Sequence, residues 1–242
     1  MTKLSVNLNK IALIRNSRGH DYPNLVEFAQ LALAAGADGI TIHPRPDQRH
    51  ATYNDVRDLS VLMANWPDAE LNIEGFPADS FLDTVLKYKP DQVTLVPDDP
   101  GQLTSDHGWD LVTHKSKLTE VLQKLRSAGI RTSLFLDPDQ KQINLASAIQ
   151  TDRIELYTES YAAAFGTDQE KGILEIYRQA AKCAQDAELG VNAGHDLNLV
   201  NLGRFISIPG ILEVSIGHAL TVESLESGFS NVIKQYLNIL NG

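Results

Sequence analysis

Short apolar runs rich in β-branched residues alternate along the chain with longer segments in which apolar residues recur at helical spacing. The predicted strands are Leu4–Leu8, Gly39–His43, Leu71–Glu74, Gln92–Val96, Thr132–Asp137, Arg153–Tyr157, Gly190–Asn192 and Glu213–Ile216. The predicted helices are Asn24–Ala35, Asn54–Met63, Ala78–Tyr88, Lys115–Ala128, Asp139–Ile149, Gln169–Glu188, Leu197–Ser207 and Val222–Leu240. Repetition of this β–α unit predicts an α/β protein whose parallel strands close into a (β/α)₈ TIM barrel.

The connections between elements support this fold. A glycine stands where a helix ends and the next strand begins at Gly36, Gly129 and Gly190. The predicted strands are short and nearly continuously apolar, which is typical of parallel strands covered by helices. The chain length of 242 residues is close to the usual barrel length of about 250, so residues 1–242 are expected to form one domain. A doubly wound open sheet is the alternative, but the Gly-x-Gly-x-x-Gly motif expected after its first strand is absent.

The longest interruption between a predicted strand and its helix is Pro97–Thr113, after the fourth strand. Loops that follow the strands lie on the catalytic face of a barrel. This long loop is therefore predicted to be a lid over a site at that face.

The charge and composition of the chain exclude some classes of binding partner and indicate a cellular compartment. The 31 acidic and 21 basic residues give a formal net charge of −10, and binding to nucleic acid or anionic membrane is not expected because both need a basic surface. No apolar run is long enough for a signal peptide or a membrane-spanning helix, so a cytoplasmic protein is expected. The one cysteine, Cys183, is expected to be a small buried thiol in a helix.

Reactive side chains stand where most of the predicted strands end. The set comprises Asn7, Asn9, Lys10, His43, Arg45, Glu74, Thr94, Thr104, Asp137, Glu155, Asn192, His195, Gly217 and His218. Three of them, His43, Glu74 and His195, are groups that transfer protons near neutral pH. Because strand ends meet at one mouth of a barrel, the sequence predicts stepwise acid–base chemistry there. For Glu74, a raised pKa in an apolar setting and a salt bridge to an arginine or lysine are both open interpretations.

Two clusters of basic residues predict two anion-binding positions. The first twenty residues contain only basic charges, at Lys3, Lys10, Arg15 and Arg18, and the second cluster, Arg45, Arg49 and His50, follows the second strand. Gly194 and Gly217 lie in the loops after strands seven and eight, where barrels commonly bind phosphate through backbone N–H groups. Two phosphorylated groups are the anions that this arrangement fits best.

A metal site is the competing use of these side chains. No His-x-His lies on the first strand and no His-Glu-x-x-His motif is present. His50 lies too far into the loop after His43 for the two histidines to form a ligand pair. Neither a metal nor another cofactor is therefore expected.

Several separate motifs occur in order along the chain. They are Ser-Val-Asn7-Leu-Asn-Lys-Ile-Ala-Leu-Ile-Arg15-Asn-Ser-Arg18-Gly, Ala-Gly-Ala-Asp-Gly-Ile-Thr-Ile-His43-Pro-Arg45-Pro-Asp-Gln-Arg49-His50, Leu-Val-Pro97, Val-Asn192-Ala-Gly-His195 and Ile-Gly217-His218-Ala. Together they resemble signatures of the pyridoxine 5′-phosphate synthase family. The resemblance runs from the first strand to the last helix. It implies a (β/α)₈ barrel with extra short helices that assembles as a homo-oligomer, an octamer described as a tetramer of dimers.

The resemblance also implies a reaction and a set of roles. The family condenses 1-deoxy-D-xylulose 5-phosphate with 3-amino-2-oxopropyl phosphate to give pyridoxine 5′-phosphate, phosphate and water. By motif, His43 and Glu74 resemble its proton acceptors and His195 its proton donor. The positions that resemble its substrate-binding residues are Arg18, Arg45, His50 and Thr104 for the sugar phosphate, and Asn7, Asp196, Gly217 and His218 for the aminoketone or product. Glu155 ends a strand at a place that the family keeps polar, and it is expected to orient substrate.

This chain departs from the family pattern at two places. Many members read Asn-Ile-Asp-His after the first strand, where this chain reads Asn7-Leu8-Asn9-Lys10. Lys10 is expected to supply charge to a phosphate rather than to act as a base, and both Asn9 and Lys10 are expected to contact substrate. Asp196 stands where a glycine is common, and the sequence offers no reason for it.

Two other functions remain open from the sequence. A sugar-phosphate isomerase or epimerase on the same barrel would also use phosphate loops and two bases, but it needs only one phosphate site and often a metal. A sensor that binds the sugar phosphate without converting it is the other alternative, suggested by the Asn9-Lys10 change.

Overall fold

The computed structural model describes residues 1–98 and 105–242. Its strands are β1 (Lys3–Asn7), β2 (Gly39–Ile42), β3 (Glu70–Gly75), β4 (Gln92–Leu95), β5 (Arg131–Leu136), β6 (Arg153–Tyr157), β7 (Gly190–Gly194) and β8 (Ile211–Ile216). Each strand pairs in parallel with the next, and β1 pairs with β8 through Lys3 opposite Glu213 to Val6 opposite Ile216. The predicted closed eight-stranded barrel is confirmed.

Helices surround this barrel. They are α1 (Asn9–Asn16), α2 (Leu25–Ala34), α3 (Tyr53–Met63), α4 (Asp79–Tyr88), α5 (Leu111–Ser127), α6 (Gln140–Ala148), α7 (Glu159–Ala164), α8 (Glu170–Asp186), α9 (Leu202–Phe205), α10 (His218–Ser227) and α11 (Phe229–Asn241). Outward strand residues such as Leu4, Val6, Ile40 and Ile42 are fully buried against the helices. The main apolar core therefore lies between the barrel and its helical layer.

The inside of the barrel is polar, and here the expectation of nearly continuously apolar strands is wrong. The hydroxyls of Ser5 and Thr41 lie 2.6 Å apart, and the Asn72 amide donates to Thr41 at 3.3 Å. The Asn72 carbonyl oxygen accepts from the Thr94 hydroxyl at 3.0 Å. These side chains occupy every second strand position, so the strands alternate between an apolar outer face and a hydrogen-bonded inner face.

Four helical features differ from the predicted ones. The predicted helix Leu197–Ser207 is wrong at both ends, because α9 covers only Leu202–Phe205. The short helices α1 and α7 lie in segments that were expected to be loops, and their presence agrees with the family resemblance. The predicted helix Val222–Leu240 is wrong as one element, because Gly228 adopts φ 81° and separates α10 from α11. Helix α5 begins at Leu111, four residues earlier than expected, where Asp110 accepts from the Val112 amide and caps it.

The long connection after β4 is packed onto β5 at its far end. The Gly108 amide donates to the Asp137 carboxylate at 3.0 Å, and the Trp109 amide donates to the Phe135 carbonyl at 3.0 Å. A Cβ on Gly108 would lie 2.3 Å from the Asp137 amide nitrogen and 2.5 Å from the Leu136 Cα. Only glycine fits this approach of two backbones.

We therefore expect Gly108→Ala to lower the free energy of unfolding by about 2–3 kcal/mol, because two backbone segments must move apart. The matched control is Gly172→Ala within α8, where the new methyl group meets nothing within 4 Å. It should raise the free energy of unfolding by about 0.5–1 kcal/mol. Urea unfolding followed by circular dichroism measures both, and equal stability of Gly108→Ala and the unmodified protein would contradict the packing described here.

Candidate active site

A cavity of about 590 Å³ opens at the carboxyl ends of the strands. The predicted site residues that line it are Asn7, Asn9, Lys10, His43, Arg45, His50, Glu74, Glu155, His195, Asp196, Gly217 and His218. Arg18 is exposed after α1 and is not among the lining residues, and Thr104 lies outside the described residues. The structure thus brings together residues from β1 to β8 that are far apart in the sequence.

The amides of Asn7 and Asn9 organise the β1 side of the cavity. Asn7 Oδ1 accepts from the Asn9 backbone amide at 3.0 Å, and Asn9 Oδ1 accepts from the His43 backbone amide at 2.7 Å. Asn7 Nδ2 donates to Glu74 Oε2 at 3.4 Å. These contacts fix the ends of β2 and β3 relative to β1, so both asparagines support the two groups predicted to accept protons.

Two carboxyl groups stand inside the mouth. Burial and the nearby Asp98 raise the pKa of Glu74 to about 8 from an ordinary 4.5. Burial, with Glu74 and Glu213 nearby, raises the pKa of Glu155 well above its usual range. No salt bridge to Glu74 is found among the described residues, and the burial of its carboxyl favours the raised-pKa interpretation. A Cβ at residue 194 would lie 2.4 Å from Glu155 Oε1, which explains the glycine there.

Two histidines pack edge to face on the β2 side. The ring centroids of His43 and His50 are 5.6 Å apart. Burial, the neighbouring His50 and Arg45 lower the pKa of His43 well below 6.5, and burial with Arg45 and Lys10 lowers the pKa of His50 to about 4. Both imidazoles are therefore neutral at pH 7, which is the form that accepts a proton.

Arg45 is buried and makes a salt bridge that sequence reasoning missed. Its Nη1 lies 2.6 Å from Asp98 Oδ2, and the Ser105 hydroxyl donates to the same oxygen at 2.9 Å. Asp98 lies three residues after β4 ends at Leu95, so its place after a strand marks it as a candidate site residue, although nothing local in the sequence pairs it with Arg45. Asp98 holds the guanidinium at the cavity wall and places a negative charge near Glu74.

Two members of the predicted basic cluster near the amino terminus do not belong to the cavity. Lys3 begins β1 at the opposite end of the barrel and lies 3.0 Å from Glu70, which also pairs with Arg131. Arg15 binds Asp55 through both terminal nitrogens, at 2.5 and 2.9 Å. The interpretation of Lys3 and Arg15 as anion-binding residues is therefore wrong, because each charge is satisfied by a carboxylate.

The loop after β7 carries His195 and Asp196. His195 Nδ1 lies 3.0 Å from Asp196 Oδ2, and the His195 ring packs edge-on against Tyr157 with centroids 5.0 Å apart. Both residues have positive φ, 88° and 59°. The loop is held by the Thr158 hydroxyl, which donates to the His195 carbonyl, and by the Asn201 amide, which donates to the Asp196 carbonyl at 3.1 Å.

Comparison with known proteins identifies the family. A family model described as pyridoxal phosphate biosynthesis protein PdxJ matches residues 4–242. The chain belongs to the PdxJ family. A pyridoxine 5′-phosphate synthase from Bacteroides thetaiotaomicron is 51% identical over 241 residues, which cover 99% of this chain and 100% of the relative. One from Albidiferax ferrireducens is 50% identical over 245 residues, covering 99% and 97%.

Solved structures of lower identity match the fold. A mutant tryptophan synthase alpha-subunit from Pyrococcus furiosus has a TM-score of 0.66 and 14% identity, with 100% of this chain and 98% of that chain covered. A phosphoribosylanthranilate isomerase from Thermotoga maritima has a TM-score of 0.60 and 16% identity, with both chains fully covered. At these identities the similarity shows the barrel fold alone.

Within the PdxJ-family cavity, the chain's own residues Asn9 and Lys10 have different surroundings. Asn9 accepts a hydrogen bond from the His43 backbone amide, whereas the Lys10 charge acts on His50 and Asp196 across the cavity.

The described residues contain no group of three or more histidine, cysteine, aspartate or glutamate side chains placed to hold a metal ion. In residues 1–98 and 105–242, no helix has the length and apolar character needed to cross a membrane.

Cys183 lies away from this cavity. It is half-buried on α8, and its sulfur is 3.7 Å from Asn144 Oδ1. The expectation of a buried thiol is therefore only partly met. Burial and the nearby Asp186 raise the pKa of Cys183, which disfavours the nucleophilic thiolate.

Proposed function

We propose that the protein condenses 1-deoxy-D-xylulose 5-phosphate with 3-amino-2-oxopropyl phosphate to form pyridoxine 5′-phosphate, phosphate and water. The observation that carries the proposal is the gathering of three proton-transfer groups, His43, Glu74 and His195, in one cavity with cationic side chains. Imine formation, elimination and ring closure each move protons, and a site with several shuttles meets that need. The names of the similar proteins support the same reaction.

Two regions of the cavity are proposed to bind the two phosphates. Arg45, His50 and Lys10 form the first region, and the sugar phosphate binds there through charged hydrogen bonds. Gly217 and His218 form the second region, where α10 begins and its amino-terminal N–H groups favour an anion. Arg18 and Thr104 retain their proposed contacts with the sugar phosphate, as the resemblance implies.

The acid–base roles follow from the surroundings of each group. His43 is neutral and accepts a proton, Glu74 accepts one after it ionises, and His195 donates one to a leaving oxygen. Glu155 orients substrate from inside the mouth beside Gly194, and Asn7 holds Glu74. The segment Pro97–Thr113 after β4, of which residues 99–104 lie outside the described residues, is proposed to exclude water from the reactive imines.

Nuclear magnetic resonance of the sugar phosphate tests this function against the isomerase alternative. Incubated alone with the protein, 1-deoxy-D-xylulose 5-phosphate should persist without isomerisation, and it should be consumed once the aminoketone phosphate is added. Isomerisation of the sugar phosphate alone would overturn the proposal. Binding without consumption in the presence of both compounds would instead support a sensor.

Arg45→Ala is expected to weaken binding of the sugar phosphate by about 2 kcal/mol, or about 30-fold in Kd, because it removes charged hydrogen bonds. Asp98 would then be buried without its cation, so the double variant Arg45→Ala/Asp98→Asn keeps the local charge balanced. Isothermal titration calorimetry should give the same loss for both variants. The control is Arg57→Ala on the exposed face of α3, and unchanged binding in both Arg45 variants would remove Arg45 from the site.

The pH dependence of kcat/KM reports on Glu74. Because burial raises its pKa to about 8, kcat/KM is expected to rise with pH and level off above about pH 8, where the carboxylate can accept a proton. Asp98→Asn removes a negative charge beside Glu74, so this limb should move to lower pH. A profile that is flat between pH 6 and 9 would contradict the assignment.

We also propose that the chain acts in the cytoplasm as a homo-oligomer, an octamer built as a tetramer of dimers, as the family resemblance implies. Exposed apolar side chains on α1 and α10, including Leu13, Ile14 and Leu225, provide surface for such contacts. Multi-angle light scattering at working concentration measures the mass, and a monomer would contradict this part of the proposal.

A further inference from the structure

Asp196 occupies a backbone conformation that favours glycine. Its φ is 59°, and the preceding residue, His195, has φ 88°. Side chains with a Cβ are disfavoured in this left-handed region. Aspartate adopts this region more readily than most residues with a Cβ. The two consecutive positive φ angles belong to the geometry in which the Asp196 carboxylate lies beside the His195 ring.

The carboxylate is directed at the imidazole of His195. Asp196 Oδ2 and His195 Nδ1 are 3.0 Å apart, and this hydrogen bond is the main cause that lowers the pKa of Asp196. Asp196 is therefore ionised at neutral pH. The loop cannot easily rotate away from this geometry, because Thr158 and Asn201 hold the carbonyls of the two residues.

We infer that Asp196 is a positioning residue that holds the His195 ring and its proton for transfer to substrate. By accepting from Nδ1, the carboxylate fixes the ring orientation and leaves Nε2 as the nitrogen that exchanges a proton with substrate. This inference rests on the proposed function, in which His195 is the proton donor.

The charged and titratable surroundings of the pair come from several elements. Lys10 on α1 and His218 on α10 act electrostatically on Asp196, while Tyr157 on β6 contacts the His195 ring. Glu159, at the start of α7, lines the same cavity. Asp196 lies within hydrogen-bond distance of Nδ1, so its removal changes an immediate partner of the ring.

Steady-state kinetics of Asp196→Asn and Asp196→Gly test the role. Each variant should lower kcat by at least tenfold, with substrate Kd values changed by less than threefold. The matched control is Asp58→Asn on the exposed face of α3, which removes the same charge away from the cavity and should leave kcat unchanged.

Thermal unfolding separates positioning from folding. Asp196→Gly relaxes the left-handed backbone, so its Tm should equal or exceed that of the unmodified protein although its kcat falls. A kcat equal to that of the control in both variants would overturn the inference. A large loss of substrate binding would also overturn it, because Asp196 would then act on substrate directly.

A spectroscopic measurement keeps the test independent of turnover. In ¹H–¹⁵N spectra at alkaline pH, His195, assigned by its loss in His195→Asn, should show the Nδ1–H tautomer in the unmodified protein. In Asp196→Gly the ring should shift toward the Nε2–H tautomer. If the unmodified protein fails to turn over its substrates, the proposed function fails while this tautomer change still decides the pairing, and an unchanged tautomer would refute it.

Discussion

His195→Asn is expected to lower kcat by about a thousandfold, because it removes the group that protonates a leaving oxygen. Affinity for the sugar phosphate should change by no more than a few fold, since the proposed phosphate contacts come from other elements, including Arg45. Steady-state kinetics and calorimetry on the same preparation measure the two effects. A variant that loses binding in proportion to activity would contradict the donor role of His195.

The control for this variant is His114→Asn. His114 lies on α5, packs edge-on against the Trp109 ring and is not among the residues that line the cavity. Its replacement should leave kcat within twofold. Loss of turnover in both histidine variants would show that the effect comes from the fold rather than from proton donation.

Glu74→Gln carries the second large expected effect. The amide keeps the shape of the side chain and its contact with Asn7 but cannot accept a proton, so kcat should fall by about a hundredfold to a thousandfold. Substrate affinity should be retained. The control is Glu120→Gln on the exposed face of α5, and kinetics at pH 8.5 give the comparison.

The same variant changes the pH dependence of stability in a defined direction. Folded Glu74 holds its proton up to about pH 8, whereas an ordinary glutamate loses it near 4.5. Between these values the folded state binds more protons than the unfolded state, so this carboxyl makes the free energy of unfolding fall as pH rises. Glu74→Gln should therefore show a flatter decline between about pH 5 and pH 8, measured by urea unfolding. An unchanged slope would contradict the burial of this carboxyl.

The barrel was predictable because its signals are local. Glycines at the ends of helices and short β-branched runs recur along the chain, and they placed all eight strands. Helices α1 and α7 were missed for physical reasons. In α1, Leu13 and Ile14 are exposed and break the apolar periodicity, and α7 is only six residues long.

The inner face of the barrel required three-dimensional information to interpret correctly. Ser5, Thr41 and Asn72 look unremarkable in their own strands, yet their hydrogen bonds connect three strands across the interior. A polar residue stands at every second position in β1 and β3. Because parallel strands are usually apolar on both faces, this alternation alone does not predict a polar barrel interior.

The site was predictable where function depends on position at a strand end. His43, Glu74 and His195 were found in this way, and the structure brings all three to one cavity. The pairing of Asp98 with Arg45 spans 53 residues, and no local pattern encodes it. Lys3 was misassigned because it stands at the start of a strand. Residues at the start of a strand lie at the end of the barrel opposite the cavity, where Lys3 pairs with Glu70.

The most direct test of the central claim is to incubate the purified, chelator-treated protein with both phosphorylated substrates and to analyse the products by mass spectrometry. The account predicts pyridoxine 5′-phosphate and one equivalent of released phosphate, formed only when both substrates are present and lost in His195→Asn. No product from the unmodified protein, with the sugar phosphate still bound, would contradict the account.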